Sequence, residues 1–183
     1  MPQNKRFYLS FGRHGAPAAD TGIRREDMLK AFLIGTDLRH WLSPCCRVYH
    51  SPLARAATTA KFQALGLGCR NVTVAPDLDE CASKFAVQQF VDRVITDKPV
   101  GASYFHFVTH LPIIEKLGLP ALSTGEVCLL SADSVDDMRA YNYNTQIIAV
   151  PHEEQQLWHL SNLHAEELSA LSADEIYRLL QTL

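Results

Sequence analysis

Residues 104–112 read YFHFVTHLP, an aromatic and β-branched run that passes directly into a segment marked by proline. Aromatic and β-branched side chains favour extended structure, so Tyr104–Thr109 is predicted to be a strand. Pro112 suits the first turn of a helix, and we expect that helix to run from Leu111 to Leu117 and to end at Gly118. A strand that passes straight into a helix is typical of α/β proteins.

The same alternation of strands and helices extends along the rest of the chain. Further strands are predicted at Phe7–Phe11, Arg47–His50, Val72–Ala75, Val127–Leu130, Gln146–Val150 and Gln156–Leu160. Helices are predicted at Arg24–Leu42, from Ser51-Pro52 to Leu65 with Ser51 as N-cap, at Ala82–Thr96 with Phe85, Phe90, Val91 and Val94 facing inward, and at Ser172–Thr182. We expect an α/β fold with three layers, α/β/α, a mostly parallel central sheet and an antiparallel edge near Val127 or Gln156.

Composition limits the possible functions. The chain has 183 residues, which is typical of one domain (1–183), and 47% hydrophobic and 20% charged residues, which is typical of a folded protein. A net charge of −3 argues against a nucleic-acid-binding surface, and the apolar runs are too short to span a membrane. The N-terminal residues make a poor signal peptide. The odd cysteine count, five, without a C-x-x-C pair, favours a reduced, cytoplasmic location with cysteines acting as small buried hydrophobes.

Unusual polar residues follow three of the predicted strands. The first strand leads into Arg13-His14-Gly15, the second into a helix with Arg55 in its first turn, and the strand quoted above into His110. Because the carboxyl ends of parallel strands form the ligand site of such sheets, we expect these side chains to meet there, with Gly15 allowing close backbone approach. Arginine and helix N-termini favour phosphate, and neutral imidazole is a nucleophile near pH 7. The sequence therefore predicts a phosphoryl-transfer pocket without a metal.

Three segments, in this order, resemble the first branch of the histidine phosphatase superfamily, also called phosphoglycerate-mutase-like. They are RHG at 13–15, VYHSPLARAATTA at 48–60 and FVTHLP at 107–112, each at a junction of strand and helix. The resemblance covers about residues 5 to 130, and 160–164 is similar to the family's closing strand and loop. It implies a phosphoglycerate-mutase-like three-layer fold and an enzyme that hydrolyses phosphoric monoesters.

The resemblance also implies a role for each matching residue. His14 would be the nucleophile that forms a phosphohistidine, and Arg13, Arg55 and His110 would bind the phosphate. Glu80, in the segment Leu78-Asp79-Glu80, would be the general acid, with Asp79 and Asp77 as reserves. No cofactor and no metal are expected.

Several alternatives remain open at this stage. His106 and His110 have a spacing that would suit zinc on a helix, but they lie in a predicted strand, where His106 is expected to pack beneath the pocket. The run VTVAPDLDE at 72–80 would allow a magnesium-dependent phosphatase of the haloacid dehalogenase type with Asp77 as nucleophile. A non-catalytic phosphate-binding or scaffold protein is the third reading.

The substrate is expected to be a phosphorylated small molecule or a phosphoprotein, with no nucleic-acid or membrane partner. The short connections between the predicted strands resemble the SixA-like protein-phosphohistidine phosphatases more than the larger mutases. The oligomeric state, the physiological substrate and the balance between phosphatase and mutase activity do not follow from the sequence.

Overall fold

The computed structural model describes residues 6–42, 44–149 and 170–182. Its strands are β1 (Phe7–Arg13), β2 (Pro17–Ala18), β3 (Gly22–Ile23), β4 (Arg47–His50), β5 (Val72–Val74), β6 (Tyr104–Thr109), β7 (Val127–Ala132) and β8 (Asn144–Ile148). Its helices are α1 (Arg25–Trp41), α2 (Ala54–Leu67), α3 (Lys84–Thr96), α4 (Leu111–Lys116), α5 (Val135–Arg139) and α6 (Ala173–Leu180). The predicted strand at Gln156–Leu160 and the family-like segment at 160–164 lie outside the described residues.

Six of the strands form one sheet in the order β5-β4-β6-β1-β7-β8. The strands from β5 to β1 are parallel, whereas β7 and β8 are antiparallel to their neighbours. The predicted mostly parallel sheet with an antiparallel edge beginning at Val127 is therefore confirmed. All six residues of β6 are buried, as expected for the strand at the centre of the parallel part.

The two faces of the sheet bury separate sets of side chains, because successive residues of a strand point to opposite faces. Phe105 and Phe107 pack with residues of α3 and α4 on one face. Tyr104 and Val108 pack with α1 and α2 on the other face. The sheet is thus the middle layer of three, as the sequence predicts. In the described part of the chain, no helix is long and apolar enough to cross a membrane.

Helices α1 and α2 approach each other closely through two glycines. A Cβ atom on Gly35 would lie 2.2 Å from the Gln63 carbonyl oxygen, and one on Gly66 would lie 2.1 Å from the Phe32 carbonyl oxygen. No larger side chain fits at either position without moving a helix backbone. Gly35 interrupts the predicted helix in sequence, but in the structure it is the point of helix contact.

Two local predictions about helices are wrong. Phe85 was expected to face inward but is 67% exposed, because α3 begins at Lys84 and its first turn projects beyond the core. Ser51 was expected to cap α2, but that helix begins at Ala54 after Leu53, with no side-chain cap.

The expectation that all cysteines are small buried hydrophobes is correct only in part. Cys45 and Cys128 are buried, Cys46 and Cys69 are half-buried, and Cys81 is exposed. Cys81 is exposed because it lies in the loop before α3, where it packs against no core cluster.

Candidate active site

The carboxyl ends of β1, β6 and β4 lie side by side. Arg13 is the register partner of Thr109, and His50 is the partner of Val108, so the residues that follow each strand emerge at the same edge. The main chain continues the pattern: His14 N–H donates to the Thr109 carbonyl at 3.1 Å. This register brings the arginines and histidines singled out in the sequence to one cluster.

His14 is buried at the centre of this cluster. Its Nδ1 lies 2.7 Å from the Gly15 carbonyl oxygen, which can only accept, so Nδ1 carries the proton. The Nε2 lone pair is therefore directed away from the main chain and accepts a hydrogen bond from Arg55 Nε at 3.1 Å. Burial lowers the pKa of His14; the Gly15 carbonyl opposes this effect, and the charge of Arg55 adds to it. His14 is thus a neutral imidazole with its Nε2 facing the cluster.

Arg55 connects two of the candidate residues. While its Nε donates to His14, its Nη2 donates to a carboxylate oxygen of Glu80. Its position in the first turn of α2 places the guanidinium beside the N-terminus of that helix, where negative charge is favoured.

His110 lies against His14, with ring centroids 5.0 Å apart. Its Nε2 is 2.8 Å from Ser51 Oγ, and that oxygen already accepts a longer hydrogen bond from the Leu53 N–H. Ser51 can therefore donate its hydroxyl proton to Nε2, which leaves the N–H of His110 on Nδ1. Burial lowers the pKa of His110 to about 4, and the nearby His14 acts in the same direction. A neutral His110 then presents Nδ1–H toward Glu80, whose carboxylate oxygen is 3.9 Å away.

Arg13 reaches the cluster from the end of β1. Its Nη1 donates to the Leu122 carbonyl at 2.8 Å, which fixes the guanidinium in place. Within the described residues, three buried side-chain nitrogens have no hydrogen-bond partner, and two of them, Arg13 Nε and His110 Nδ1, belong to this cluster. Buried donors without acceptors are rare in proteins, so this pair indicates a site built for an acceptor.

Glu80 is the carboxylate that the structure places with the cluster. Its loop is fixed from below, because Thr109 Oγ1 donates to the Leu78 carbonyl at 2.7 Å and Lys116 Nζ donates to the Ala82 carbonyl at 2.8 Å. The two reserve residues are engaged elsewhere. Asp77 accepts a hydrogen bond from Arg93, and Asp79 accepts one from the backbone N–H of Cys81.

These contacts bear on the alternatives left open by the sequence. Asp77 does not join the cluster, and the Pro76–Leu78 segment is a turn of 3-10 helix rather than a strand end, which argues against a haloacid-dehalogenase site. His106 is buried beneath the cluster, where Ser10 and Gln63 hold both its ring nitrogens. In the described ranges, no three histidine, cysteine or carboxylate side chains form a group that could hold a metal ion.

Two residues that support the site, Ser51 and Thr59, were not predicted to do so from the sequence. Gly15 also has a packing role that the sequence did not indicate. Gly15 N–H donates to Thr59 Oγ1 at 3.0 Å, and Ser51 orients His110. A Cβ atom on Gly15 would lie 2.8 Å from Asp27 Cβ, so glycine is needed here for packing against α1. Ser51 and Thr59 both lie in the 48–60 motif, and this position was the available signal.

Comparison with solved structures shows which fold carries this cluster. The protein histidine phosphatase SixA complexed with tungstate matches with a TM-score of 0.65 and 18% identity, over 78% of this chain and 97% of that one. A mycobacterial glucosyl-3-phosphoglycerate phosphatase matches at 0.56 and 14%, over 79% and 98%. The phosphoglycerate mutase of Plasmodium falciparum matches at 0.52 and 17%, over 82% and 97%.

These likenesses establish that the chain has the phosphoglycerate-mutase-like fold, as its three motifs predict. No protein-family model matches the chain, and no curated protein is similar to it in sequence.

Proposed function

We propose that this protein is a metal-independent phosphatase that transfers a phosphoryl group to His14 and then to water. The substrate class is a phosphomonoester or a protein phosphohistidine. The observation that carries the proposal is the state of His14: its Nδ1 proton is held by the Gly15 carbonyl, so its Nε2 lone pair faces Arg55, which also binds Glu80. A neutral, fixed imidazole among cationic and neutral donors is suited to attack phosphorus.

In the first step, Nε2 of His14 attacks phosphorus in line with the leaving oxygen. The phosphorus–nitrogen bond forms as the phosphorus–oxygen bond breaks. Arg13, Arg55 and His110 donate to the three equatorial oxygens, and the unpartnered nitrogens Arg13 Nε and His110 Nδ1 are two of the donors. Because these groups are held in position before the substrate arrives, the developing charge meets fixed donors rather than water that must reorganise.

Binding of the phosphoryl group requires Arg55 to exchange partners. In the structure its guanidinium is hydrogen-bonded to His14 and Glu80. When phosphoryl oxygens take these hydrogen bonds, the His14 lone pair is released for attack and the Glu80 carboxyl is free to serve the leaving group. Arg55 thus couples arrival of the substrate to availability of the nucleophile.

Glu80 carries the proton in both halves of the reaction. Once Arg55 has turned to the phosphoryl oxygens, the Glu80 carboxylate takes up a proton from solvent and donates it to the leaving oxygen in the first step. The resulting carboxylate takes a proton from the water that attacks the phosphohistidine in the second step. The second step returns a neutral His14, free phosphate and a protonated Glu80. No metal enters either step.

The degree of fold similarity supports a phosphatase rather than a mutase. The protein histidine phosphatase SixA matches with a TM-score of 0.65, against 0.52 for the phosphoglycerate mutase, although each structure is matched over 97% of its length. A glucosyl-3-phosphoglycerate phosphatase has a similar fold, so we also propose a small phosphomonoester as a substrate class. Both substrates present the same phosphoryl group to His14 and differ in the leaving atom.

The experiment that tests the proposal traps the intermediate. Purified protein with excess chelator is incubated with a radiolabelled aryl phosphate and, separately, with a phosphohistidine-containing protein, and is quenched without acid. We expect turnover of at least one substrate and a protein label that survives alkali and is lost in acid. The label should map to the peptide that contains His14.

Two variants complete the test. His14→Ala should lose both label and turnover, whereas His40→Ala, which removes an exposed histidine of α1, should keep both. Phosphate binding without label or turnover in the parent protein would favour the non-catalytic reading. Turnover that disappears with chelator, or a label that remains in His14→Ala, would overturn the mechanism.

A further inference from the structure

Two cysteines outside the candidate active site lie next to each other although they are far apart in sequence. Cys45 precedes β4 and Cys69 follows α2, and their thiol groups lie close enough for each to shift the pKa of the other. Both belong to the same apolar layer between the sheet and the helices α1 and α2. The proposed phosphatase mechanism uses neither residue.

The strand register explains why they meet. In the parallel pair β4–β5, Val48 lies opposite Val72, and Val48 N–H donates to the Asn71 carbonyl at 2.8 Å. Cys45 and Cys69 each stand three residues before these partners, just ahead of the points where the two strands begin. Neighbouring strands are about 4.8 Å apart, and disulfides bridge Cα atoms separated by about 4.4–6.8 Å. The register therefore brings the two cysteines to the same end of neighbouring strands, a spacing compatible with a disulfide.

The two thiols differ in their access to solvent. Cys45 is buried and donates a hydrogen bond to the Arg47 carbonyl at 3.3 Å. Cys69 is half-buried and lines an open groove of about 740 Å³, together with Lys61, Arg70 and Tyr177. A small oxidant can therefore reach Cys69 from solvent more readily than it can reach Cys45.

The electrostatic surroundings favour the thiolate at the accessible position. The neighbouring Cys45 thiol lowers the pKa of the Cys69 thiol, and the charge of Arg47 contributes in the same direction. The same contact raises the pKa of Cys45. Because the thiolate is the reactive form of cysteine, Cys69 is the nucleophile and Cys45 remains a thiol.

We propose that Cys45 and Cys69 form a redox-active pair that is oxidised by peroxide to an intramolecular disulfide. The Cys69 thiolate attacks the peroxide oxygen, the oxygen–oxygen bond breaks, and hydroxide leaves with Cys69 as a sulfenic acid. The Cys45 sulfur then attacks the Cys69 sulfur. A sulfur–sulfur bond forms, and the hydroxyl leaves as water with the Cys45 proton. The two thiols lose two electrons in total, and the peroxide gains them.

The test uses the full-length protein and hydrogen peroxide, with mass spectrometry after alkylation of the remaining thiols. We expect a monomer lighter by two hydrogen atoms, with three of its five cysteines still alkylated. Tryptic digestion should join peptide 40–47 to peptide 62–70, and a dithiol reductant should restore the parent mass. Because this experiment uses the parent protein, its result does not depend on whether a variant folds.

Variants identify the partners and their order. Peptide 40–47 contains Cys46 as well as Cys45, so the bridge is mapped again in Cys46→Ser, which should still form it. Cys45→Ser should stop at a sulfenic acid on Cys69 that a dimedone probe captures. Cys69→Ser should lose the intramolecular bridge, while the exposed Cys81 continues to react.

Three results would overturn the proposal. They are a bridge that involves Cys46 in the parent, oxidation confined to dimers linked through Cys81, and no thiol loss at peroxide levels that oxidise Cys81. The outcome is independent of the proposed phosphatase activity, because the readout is the mass of the protein rather than turnover.

Discussion

The guanidinium of Arg55 donates a hydrogen bond to Nε2 of His14 at 3.1 Å and, through its other side, binds the Glu80 carboxylate. One side chain therefore holds both the proposed nucleophile and the proposed acid. When a phosphoryl group accepts the hydrogen bonds of Arg55, it releases both His14 and Glu80. Phosphate affinity and the reactivity of His14 should for this reason depend on the same residue.

The first prediction is that Arg55→Ala weakens binding of phosphate or vanadate by about 1.5–3 kcal/mol, because a charge-assisted hydrogen bond to the anion is lost. Isothermal titration or inhibition of turnover measures the change. Arg55→Lys should fall between the parent and the alanine variant, since it keeps the charge but not the planar pair of donors.

Arg93→Ala is the matched control for this prediction. Like Arg55, Arg93 donates a hydrogen bond to a carboxylate, but this carboxylate is that of Asp77 and the pair lies outside the cluster. It should bind anions as the parent does. Equal affinity for parent and Arg55→Ala would remove Arg55 from the phosphate site.

Much of the site could be read from the sequence because its residues follow recognisable strand ends. The run 104–109 is unmistakably β-rich, and a residue such as His110 that follows a parallel strand is placed by topology alone. Arg13 and His14 follow β1 in the same way. Because β1, β4 and β6 are parallel neighbours in the sheet, residues that follow these strands lie at the same edge.

Contacts that depend on loops and side-chain rotamers were out of reach of the sequence. The contact between Arg55 and Glu80 joins residues 25 positions apart, and it exists because Thr109 and Lys116 hold the loop from below. Ser51 has the signature of a helix cap but is used to orient His110. Phe85 fits a helical apolar period, yet the first turn of α3 lies beyond the core. Each case involves a tertiary contact that overrides a local preference.

The second prediction concerns His106, which is fully buried and whose pKa is lowered by burial to about 3. Unfolded histidine takes up a proton near pH 6.5, so below that pH the unfolded state binds a proton that the folded state does not. The free energy of unfolding should therefore fall as the pH decreases from about 6.5 toward 3. One such proton contributes about 1.4 kcal/mol per pH unit.

Urea unfolding between pH 7.5 and pH 4.5 measures this slope. His106→Gln keeps hydrogen-bonding atoms near Ser10 and Gln63 but cannot take up a proton, so its slope should be smaller than that of the parent by about one proton. His40→Gln, at an exposed site on α1, serves as the comparison. A parent and a His106→Gln variant with equal slopes would show that His106 titrates alike in both states.

The third prediction tests the contact between α1 and α2. Gly35→Ala would place a methyl group 2.2 Å from the Gln63 carbonyl oxygen, so the helices must separate. We expect the free energy of unfolding to fall by about 1–3 kcal/mol. At an exposed helix position the same substitution would stabilise the protein, because alanine has a higher helix propensity than glycine. Asp37→Ala on the exposed face of the same helix should change stability little. A Gly35→Ala protein as stable as the parent would mean that the helices can separate at no cost.

The last prediction separates the role of Glu80 from that of the phosphate-binding residues. Glu80→Gln keeps the size of the side chain and a hydrogen-bonding oxygen near Arg55, but it can neither donate a carboxylic proton nor accept one from water. The parent and variant are compared on alkyl phosphates, aryl phosphates and a phosphohistidine protein. An alkoxide is a poor leaving group without a proton, so alkyl phosphates should lose about 10²–10⁴-fold in kcat.

Aryl phosphates and phosphohistidine should lose less in the first step, because their leaving groups need less help. Phosphate affinity should be retained, since Arg13, Arg55 and His110 are unchanged. Asp79→Asn is the matched control, because Asp79 is the neighbouring carboxylate and its Oδ1 accepts a hydrogen bond from the Cys81 N–H. Uniform loss across all leaving groups would make Glu80 a positioning residue for Arg55. A selective loss in Asp79→Asn would transfer the role of general acid to Asp79.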